Sequence, residues 1–319
     1  MTSLRSETKN IIFILIGCTI VTTIILKIGV INIYQEFLNA DMDLLIYSFF
    51  IILLSVLIKA YRWSKLFVHV KVIDSCKIYF IGTAVNQIMP TGSGEVTRAY
   101  IARDKLNVPI GETAAPIMIE RLADTTLLIA LSFIYIAYVT KSDYVLQLII
   151  PFATIFAGYS LLLRPTIIDK ILDKVSSLKI SKIHIINKII HVSYTFKDAI
   201  VKFKNKKNII WWTVILTIIG WYVHGLGRYI LLLAFGYDIQ IFNVLAITAI
   251  SEIIGTFSFL PGGLGAKEIS FGALLVTFGI SIEMGITIFL IFRIMTYVQL
   301  GILAFVSMIS FAKSYNAIE

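Results

Sequence analysis

The sequence predicts an all-α integral membrane protein, a polytopic bundle of helices. Of its 319 residues, 58% are hydrophobic and only 15% are charged, and the mean hydropathy is +0.89. A soluble core of this size does not need so much apolar sequence. The two cysteines, Cys18 and Cys76, lack Cys-x-x-Cys spacing and further partners. This argues against a disulfide framework and against a structural zinc site.

Six stretches are long and apolar enough to cross a bilayer, which takes about 20 mostly apolar residues. They cover residues 11–31, 44–63, 113–140, 145–163, 209–235 and 284–310. No small-x-small cleavage site follows the first stretch, so we predict a retained span there rather than a signal peptide. Residues 1–319 are therefore predicted to form a single integral membrane domain.

Two further apolar regions, 78–106 and 240–280, are interrupted by proline and glycine. The interrupting residues are Pro90, Gly92 and Gly94 in the first region and Pro261, Gly262, Gly263 and Gly265 in the second. A helix does not continue cleanly through such sequence, and lipid cannot satisfy the freed backbone groups. Each half is too short to cross alone. The regions are interpreted as re-entrant hairpins, with eight full spans as the alternative.

The distribution of charge predicts the orientation. Residues 32–43 are acidic without a base, whereas the next flank carries Lys59, Arg62, Lys65, Lys71 and Lys77. Because short cytoplasmic loops are rich in Lys and Arg, both termini are predicted inside the cell. The first hairpin then enters from the cytoplasm and the second from outside. Paired broken helices of opposite topology are typical of inverted-repeat transporters.

Residues 164–208 are predicted to form a basic, amphipathic cytoplasmic connection. The segment carries Arg164 and ten lysines, with apolar residues at helical spacing. Two interpretations stay open: helices lying on the inner leaflet, held by anionic headgroups, or a connector packed on the bundle. The positive charge does not indicate nucleic acid, because the cationic residues cluster between apolar stretches.

The candidate site residues are ionisable side chains at membrane depth, where each needs a partner or a wet cavity. The primary candidates are Glu95, Arg98, Glu120, Arg121, Asp124, Lys267, Glu268 and Arg293; the secondary candidates are His224, Arg228 and Glu252. Glu95 lies 26 residues before Arg121, and Glu268 lies 25 before Arg293. The near repeat of this spacing predicts one working site built twice.

Local patterns give these candidates roles. Glu120 and Asp124 share a helix face with Arg121 nearby, which predicts either a packing salt bridge or an arginine that the carboxylates orient toward a phosphate. The half-helices that begin at the two breaks are predicted to offer unpaired N–H groups to an anion. His224 and Arg228 contact either a headgroup or a neighbouring helix. Glu252 has two candidate partners, Arg228 and Lys267.

Signatures of catalysis and of cofactors are scarce. The sequence lacks His-Glu-x-x-His, a Walker loop, Gly-x-Ser-x-Gly and an aspartate-rich prenyl-diphosphate motif. With four histidines in all, a histidine-ligated metal centre is not expected either. Neither a cofactor nor a metal is therefore predicted, and transport would be passive, coupled to an ion or driven by a partner.

Three ordered motifs carry a family resemblance: residues 86–98, residues 120–124, and residues 260–265 with Glu268 and Arg293. Over about 10–310, the chain resembles the flippase-like transmembrane region of lysylphosphatidylglycerol synthases. In those synthases a cytoplasmic domain attaches an amino acid to phosphatidylglycerol, and the membrane region carries the lipid across. Because this chain ends at Glu319, shortly after its last predicted span, the aminoacyl-transfer half is not expected. The resemblance implies a translocase of lipids or lipid-linked headgroups.

The expected function is that of a flippase-like, multi-pass protein of the cell membrane, without nucleotide hydrolysis. Its hairpins would meet at a polar cavity whose cations hold an anionic lipid headgroup. One alternative is a non-transporting membrane partner of a lipid-modifying or glycosyl transferase. The other is a membrane-embedded lipid transferase that uses Glu95 or Asp124 as a base.

Overall fold

The computed structural model describes residues 26–67, 70–90, 92–140, 184–204 and 207–316, with isolated positions 19, 22, 23, 166, 169 and 170. Within these residues the chain is helical and has no strand, so the all-α prediction is confirmed. The predicted span 145–163 and most of 11–31 lie outside the described residues. The first helix whose two ends the structure describes is α1 (Val30–Asn39), which follows Gly29.

Three helices are long and apolar enough to cross a membrane, judged by length and composition over the described residues. They are Met42–Leu66, Asn208–Ala234 and Ile282–Ala312. The first is α2; the other two lie within α7 (Lys207–Ala234) and α10 (Ile282–Asn316). The predicted span 113–140 lies within α5 (Ile110–Thr140), which has 31 residues. Apolar side chains on the outside of the bundle, among them Leu54, Ile302 and Phe305, are exposed, as lipid contact requires.

The first Pro/Gly break separates α3 (Val72–Ile88) from α4 (Ser93–Leu106). Gly92 has a φ of 94°, a left-handed conformation that glycine adopts without strain. The turn folds α4 back onto α3, where Gly94 approaches the Gly82 carbonyl. With 14 residues, α4 is about 21 Å long, less than the hydrocarbon core of about 30 Å. It does not cross by itself, which favours a re-entrant hairpin.

The second break separates α8 (Ile241–Phe257) from α9 (Ala266–Leu275) through a short 3₁₀ turn, Pro261–Gly263. Two glycines of this turn have positive φ, Gly262 at 56° and Gly263 at 70°, as does Gly265 at 80°, just before α9. The ten residues of α9 span about 15 Å, half a hydrocarbon core. Helix α10 follows and packs against both α9 and α3, so it contacts both hairpins.

The pair α2 and α7 is joined by a polar seam on one face of α2. Its members recur at 48, 55 and 62, a seven-residue spacing that keeps them on one side of a helix. Ser48 Oγ donates to the Gly227 carbonyl at 2.8 Å, and Arg62 Nη1 donates to Thr217 Oγ1 at 2.7 Å. Ser55 Oγ lies 3.3 Å from His224 Nδ1.

Helix α6 (His184–Lys204), in the basic connection, packs on the start of α5. Ala115 of α5 forms an apolar cluster with Ala199 and Ile200 of α6. At Gly111 the two backbones approach so closely that a Cβ would lie 2.7 Å from the Phe196 nitrogen. This packing favours the packed connector for α6, while most of 164–183 lies outside the described residues. A hydrogen bond from Lys197 to Asp169 raises the pKa of that lysine.

Gly94→Ala should destabilise the protein by about 1–3 kcal/mol, because overpacking displaces backbone. A Cβ at this position would collide with the Gly82 carbonyl and the Asn86 side chain. Gly301→Ala is the matched control, since a Cβ at Gly301 meets nothing within 4 Å. Thermal unfolding in detergent measures both, and equal midpoints for the two variants would contradict close packing at the first hairpin.

Candidate functional site

The two arginines with matched spacing each form an ion pair with the glutamate that precedes them. Arg121 Nη2 pairs with Glu95 Oε1 across α5 and α4. Arg293 Nε lies 2.6 Å from Glu268 Oε1 across α10 and α9. The near repeat in the sequence therefore corresponds to two equivalent contacts, each tying a half-helix that follows a break to a long helix.

The tips of the two hairpins touch. Arg293 donates to the Gly262 carbonyl at 3.3 Å and to Tyr297 Oη at 2.9 Å. Tyr297 Oη in turn donates to the Gln87 carbonyl at 3.3 Å, at the end of α3. A Cβ at Gly262 would lie 2.7 Å from that same carbonyl, so only glycine allows the approach.

Two neighbouring residues of α3, Asn86 and Gln87, link the two Glu–Arg ion pairs. Asn86 Nδ2 donates to Glu95 Oε1 at 3.1 Å, while Gln87 accepts from Tyr297. The side-chain oxygen of Asn86, Oδ1, also accepts a hydrogen bond from the Gly94 N–H at 2.7 Å. The prediction of unpaired N–H groups at the start of α4 is therefore wrong for Gly94, because the Asn86 side chain already accepts a hydrogen bond from its N–H.

Glu120 and Asp124 pair with arginines from other helices. Arg62 Nη2 lies 2.9 Å from Glu120 Oε1, and its Nη1 lies 2.5 Å from Asp124 Oδ1. Arg98 Nη1 lies 2.7 Å from Glu120 Oε2. The predicted local cluster of Glu120, Arg121 and Asp124 names the wrong arginine. Arg121 pairs with Glu95, and Arg62 is the arginine that pairs with Glu120 and Asp124. The carboxylates thus tie α5 to α2 and α4.

Glu252 accepts from both of its candidate partners. Arg228 Nη2 donates to one carboxylate oxygen and Lys267 Nζ to the other, each at 2.6 Å. The aliphatic stem of Lys267 lies against Gly255, where a side chain would collide with it. The guanidinium of Arg228 also lies 4.2 Å from the ring centroid of Phe292. The group connects α7, α8 and α9.

His224 lies between these two groups of ion pairs. Its ring packs edge-on against Trp221 and Phe292, with centroid distances of 5.3 and 5.4 Å. With the Ser55 contact, these neighbours account for a packing role. The Trp221 indole donates to Asp124 Oδ1 at 2.8 Å, and it reaches from α7 to α5.

The candidate cations differ sharply in access. The side chain of Arg121 is 41% exposed and that of Lys267 is 18% exposed, whereas Arg98 is 2% and Arg293 8% exposed. Arg98 is further enclosed by Tyr79, whose ring centroid lies 4.6 Å from the guanidinium carbon. Of these four cations Arg121 is the most exposed, and it pairs with Glu95 of the first hairpin. No group of three His, Cys, Asp or Glu suited to a metal occurs among the described residues.

Sequence reasoning missed Arg62. It lies near the end of α2, where a charge is expected to reach the interface, yet it is fully buried. The signal that identifies it is the polar seam: Ser48, Ser55 and Arg62 share one helix face, so Arg62 points inward with the serines.

A family model described as the lysylphosphatidylglycerol synthase TM region matches residues 11–304. The chain belongs to this family. The family is one of membrane proteins, which agrees with the apolar helices, and the chain is a multi-pass membrane protein.

Curated relatives of similar length are archaeal proteins described as UPF0104 membrane proteins. One from Methanocaldococcus jannaschii is 26% identical and the match covers 95% of each chain. One from Pyrococcus horikoshii is 23% identical over 91% of this chain and 93% of the relative. A third, from Methanothermobacter thermautotrophicus, is 23% identical over 82% and 83%. No solved structure matches the chain.

Proposed function

We propose that this member of the family is a lipid translocase that moves an anionic or lipid-linked headgroup across the bilayer without nucleotide hydrolysis. The observation that carries the proposal is the meeting of the two hairpin tips. Broken helices whose tips meet inside a bundle give a headgroup polar backbone and charged side chains, while acyl chains stay in lipid.

The charges of the site support an anionic headgroup. Five carboxylates form the ion pairs of the site, Glu95, Glu120, Asp124, Glu252 and Glu268. The seven cationic side chains are Lys59, Arg62, Arg98, Arg121, Arg228, Lys267 and Arg293. An excess of positive charge in a low-dielectric interior attracts an anion more strongly than the same excess in water. The primary candidates are proposed to line the headgroup path, with Arg121 at its exposed end.

Orientation and location follow the distribution of charge. We propose the cell membrane, both termini in the cytoplasm, and entry of the first hairpin from the cytoplasmic side. With Arg121 the more exposed arginine, we propose that the open end of the path faces the inner leaflet. Anionic lipids of that leaflet are the proposed partners.

Scrambling of fluorescent phosphatidylglycerol in proteoliposomes tests the function. The wild-type protein should expose the labelled lipid to a membrane-impermeant reductant faster than protein-free liposomes do. Mass spectrometry of the same lipid should find it unaltered. An altered lipid would favour the transferase alternative, and a rate equal to that of empty liposomes would contradict translocation.

A further inference from the structure

We propose that Lys59 is the residue that anchors the phosphate group of the ligand, in a holder made by Gly220 and Trp221. This inference rests on the proposed function and adds a binding residue to it. Lys59 belongs to α2, one turn before Arg62, and the charge pattern alone places it in a cytoplasmic flank.

Among the interior cations that the structure describes, Lys59 is the one without a carboxylate partner. Arg62, Arg98, Arg121, Arg228, Lys267 and Arg293 each form an ion pair. By contrast, Lys59 forms neither an ion pair nor a hydrogen bond with any described residue. Its ammonium lies 3.5 Å from the centroid of the Trp221 ring. An ammonium has three N–H donors, and those that do not point at the ring remain available in this arrangement.

The side chain is held in place rather than left to extend to the interface. A Cβ on Gly220 would lie 3.2 Å from Lys59 Cγ and 3.8 Å from its Cε, so the stem lies against the backbone of α7. Trp221 follows directly and places its ring at the ammonium. The indole is fixed in turn by its hydrogen bond to Asp124. Glycine followed by tryptophan on α7 therefore forms a holder for a lysine of α2.

The position suits an anion that both halves of the site can share. The Trp221 ring beneath the ammonium donates to Asp124 and packs against His224. His224 contacts Phe292, which lies beside Arg228, the partner of Glu252, so Lys59 lies near both groups of ion pairs. Both carboxylates are already bonded to arginine. The oxygens of a phosphate group suit the N–H donors of this compact cation that do not point at the ring. A phosphodiester headgroup and free phosphate share this chemistry.

Calorimetric titration in a non-ionic detergent tests the anchor. The probes are dihexanoyl phosphatidylglycerol and, separately, inorganic phosphate. Lys59→Met should weaken lipid binding about tenfold to a hundredfold, the loss expected for hydrogen bonds to a charged group. Lys65→Met is the matched control: it removes an exposed lysine of the same helix that also lies over an aromatic ring, that of Tyr61. It should leave binding unchanged.

A further variant and a stability measurement distinguish the loss of the positive charge from a loss of the fold. Lys59→Arg keeps the positive charge and should retain most of the binding, and thermal unfolding checks that each variant is folded. Wild-type affinity in Lys59→Met, or equal losses in Lys59→Arg and Lys59→Met, would overturn the proposal. Binding of inorganic phosphate without binding of the lipid would keep the anion anchor and overturn the lipid as its ligand.

The outcome is distinguishable from a failure of the proposed function. If the wild type binds the lipid through Lys59 but scrambles none, translocation fails and the anchor stands. If the wild type scrambles and Lys59→Met scrambles and binds equally well, the anchor fails and translocation stands.

Discussion

Arg62→Met should lower the free energy of unfolding by about 3–5 kcal/mol, the cost of removing one partner from a buried ion pair. Arg62 is fully buried and pairs with two carboxylates, Glu120 and Asp124. Without it, the hydrogen bonds left among the described residues are that of the Trp221 indole N–H to Asp124 and that of Arg98 to Glu120. Methionine fills a similar volume, so the lost stability measures the missing charge rather than a new cavity.

Lys65→Met provides the control for this prediction as well. Lys65 lies three residues further along α2 and is exposed, so its removal should change the stability by no more than about 0.5 kcal/mol. Denaturation in mixed micelles measures both variants against the wild type. Equal stabilities for Arg62→Met and Lys65→Met would show that the arginine does not hold α2 to α5.

Glu268→Gln should be comparably damaging, at about 3–5 kcal/mol. Glu268 is completely buried, and its substitution leaves the guanidinium of Arg293 in the interior without its carboxylate. The double variant Glu268→Gln/Arg293→Met should recover most of that stability, because a buried pair replaced on both sides costs little. Its scrambling should nevertheless remain at the background rate.

Recovery of stability without recovery of transport would separate the two roles of this pair. A double variant as unstable as Glu268→Gln alone would show that the contacts of Arg293 with Gly262 and Tyr297, rather than its charge pairing, hold the second hairpin. Mixed-micelle denaturation and the scrambling assay on the same preparations give both readouts.

The sequence predicted the features that depend on backbone chemistry and spacing. Pro90 and Pro261 mark the breaks because proline has no backbone N–H to donate and its ring clashes with the preceding helical turn. The two Glu-to-Arg spacings, of 26 and 25 residues, matched because each joins a half-helix to the long helix after it. The three long apolar helices also lie close to their predicted limits.

The remaining contacts depend on which helices pack together, and a single sequence does not encode that directly. Arg121 lies beside Asp124 in the sequence, yet its side chain reaches Glu95 on α4, while Arg62 arrives from α2. Lys59 and Arg62 both resemble interfacial charges by position alone. The inward direction of Arg62 was readable from the seven-residue polar seam, whereas the holder of Lys59 exists only once Gly220 and Trp221 of α7 lie beside α2.

The central claim is that both hairpins serve one path for a lipid headgroup. The most direct test is the scrambling rate of fluorescent phosphatidylglycerol in liposomes that carry equal amounts of wild type, Arg121→Ala, Arg293→Ala or the control Lys65→Met. We expect Lys65→Met to match the wild type, and both arginine variants to fall to the rate of protein-free liposomes, because each removes the Glu–Arg contact of one hairpin. Wild-type scrambling by folded Arg121→Ala and Arg293→Ala would contradict the account.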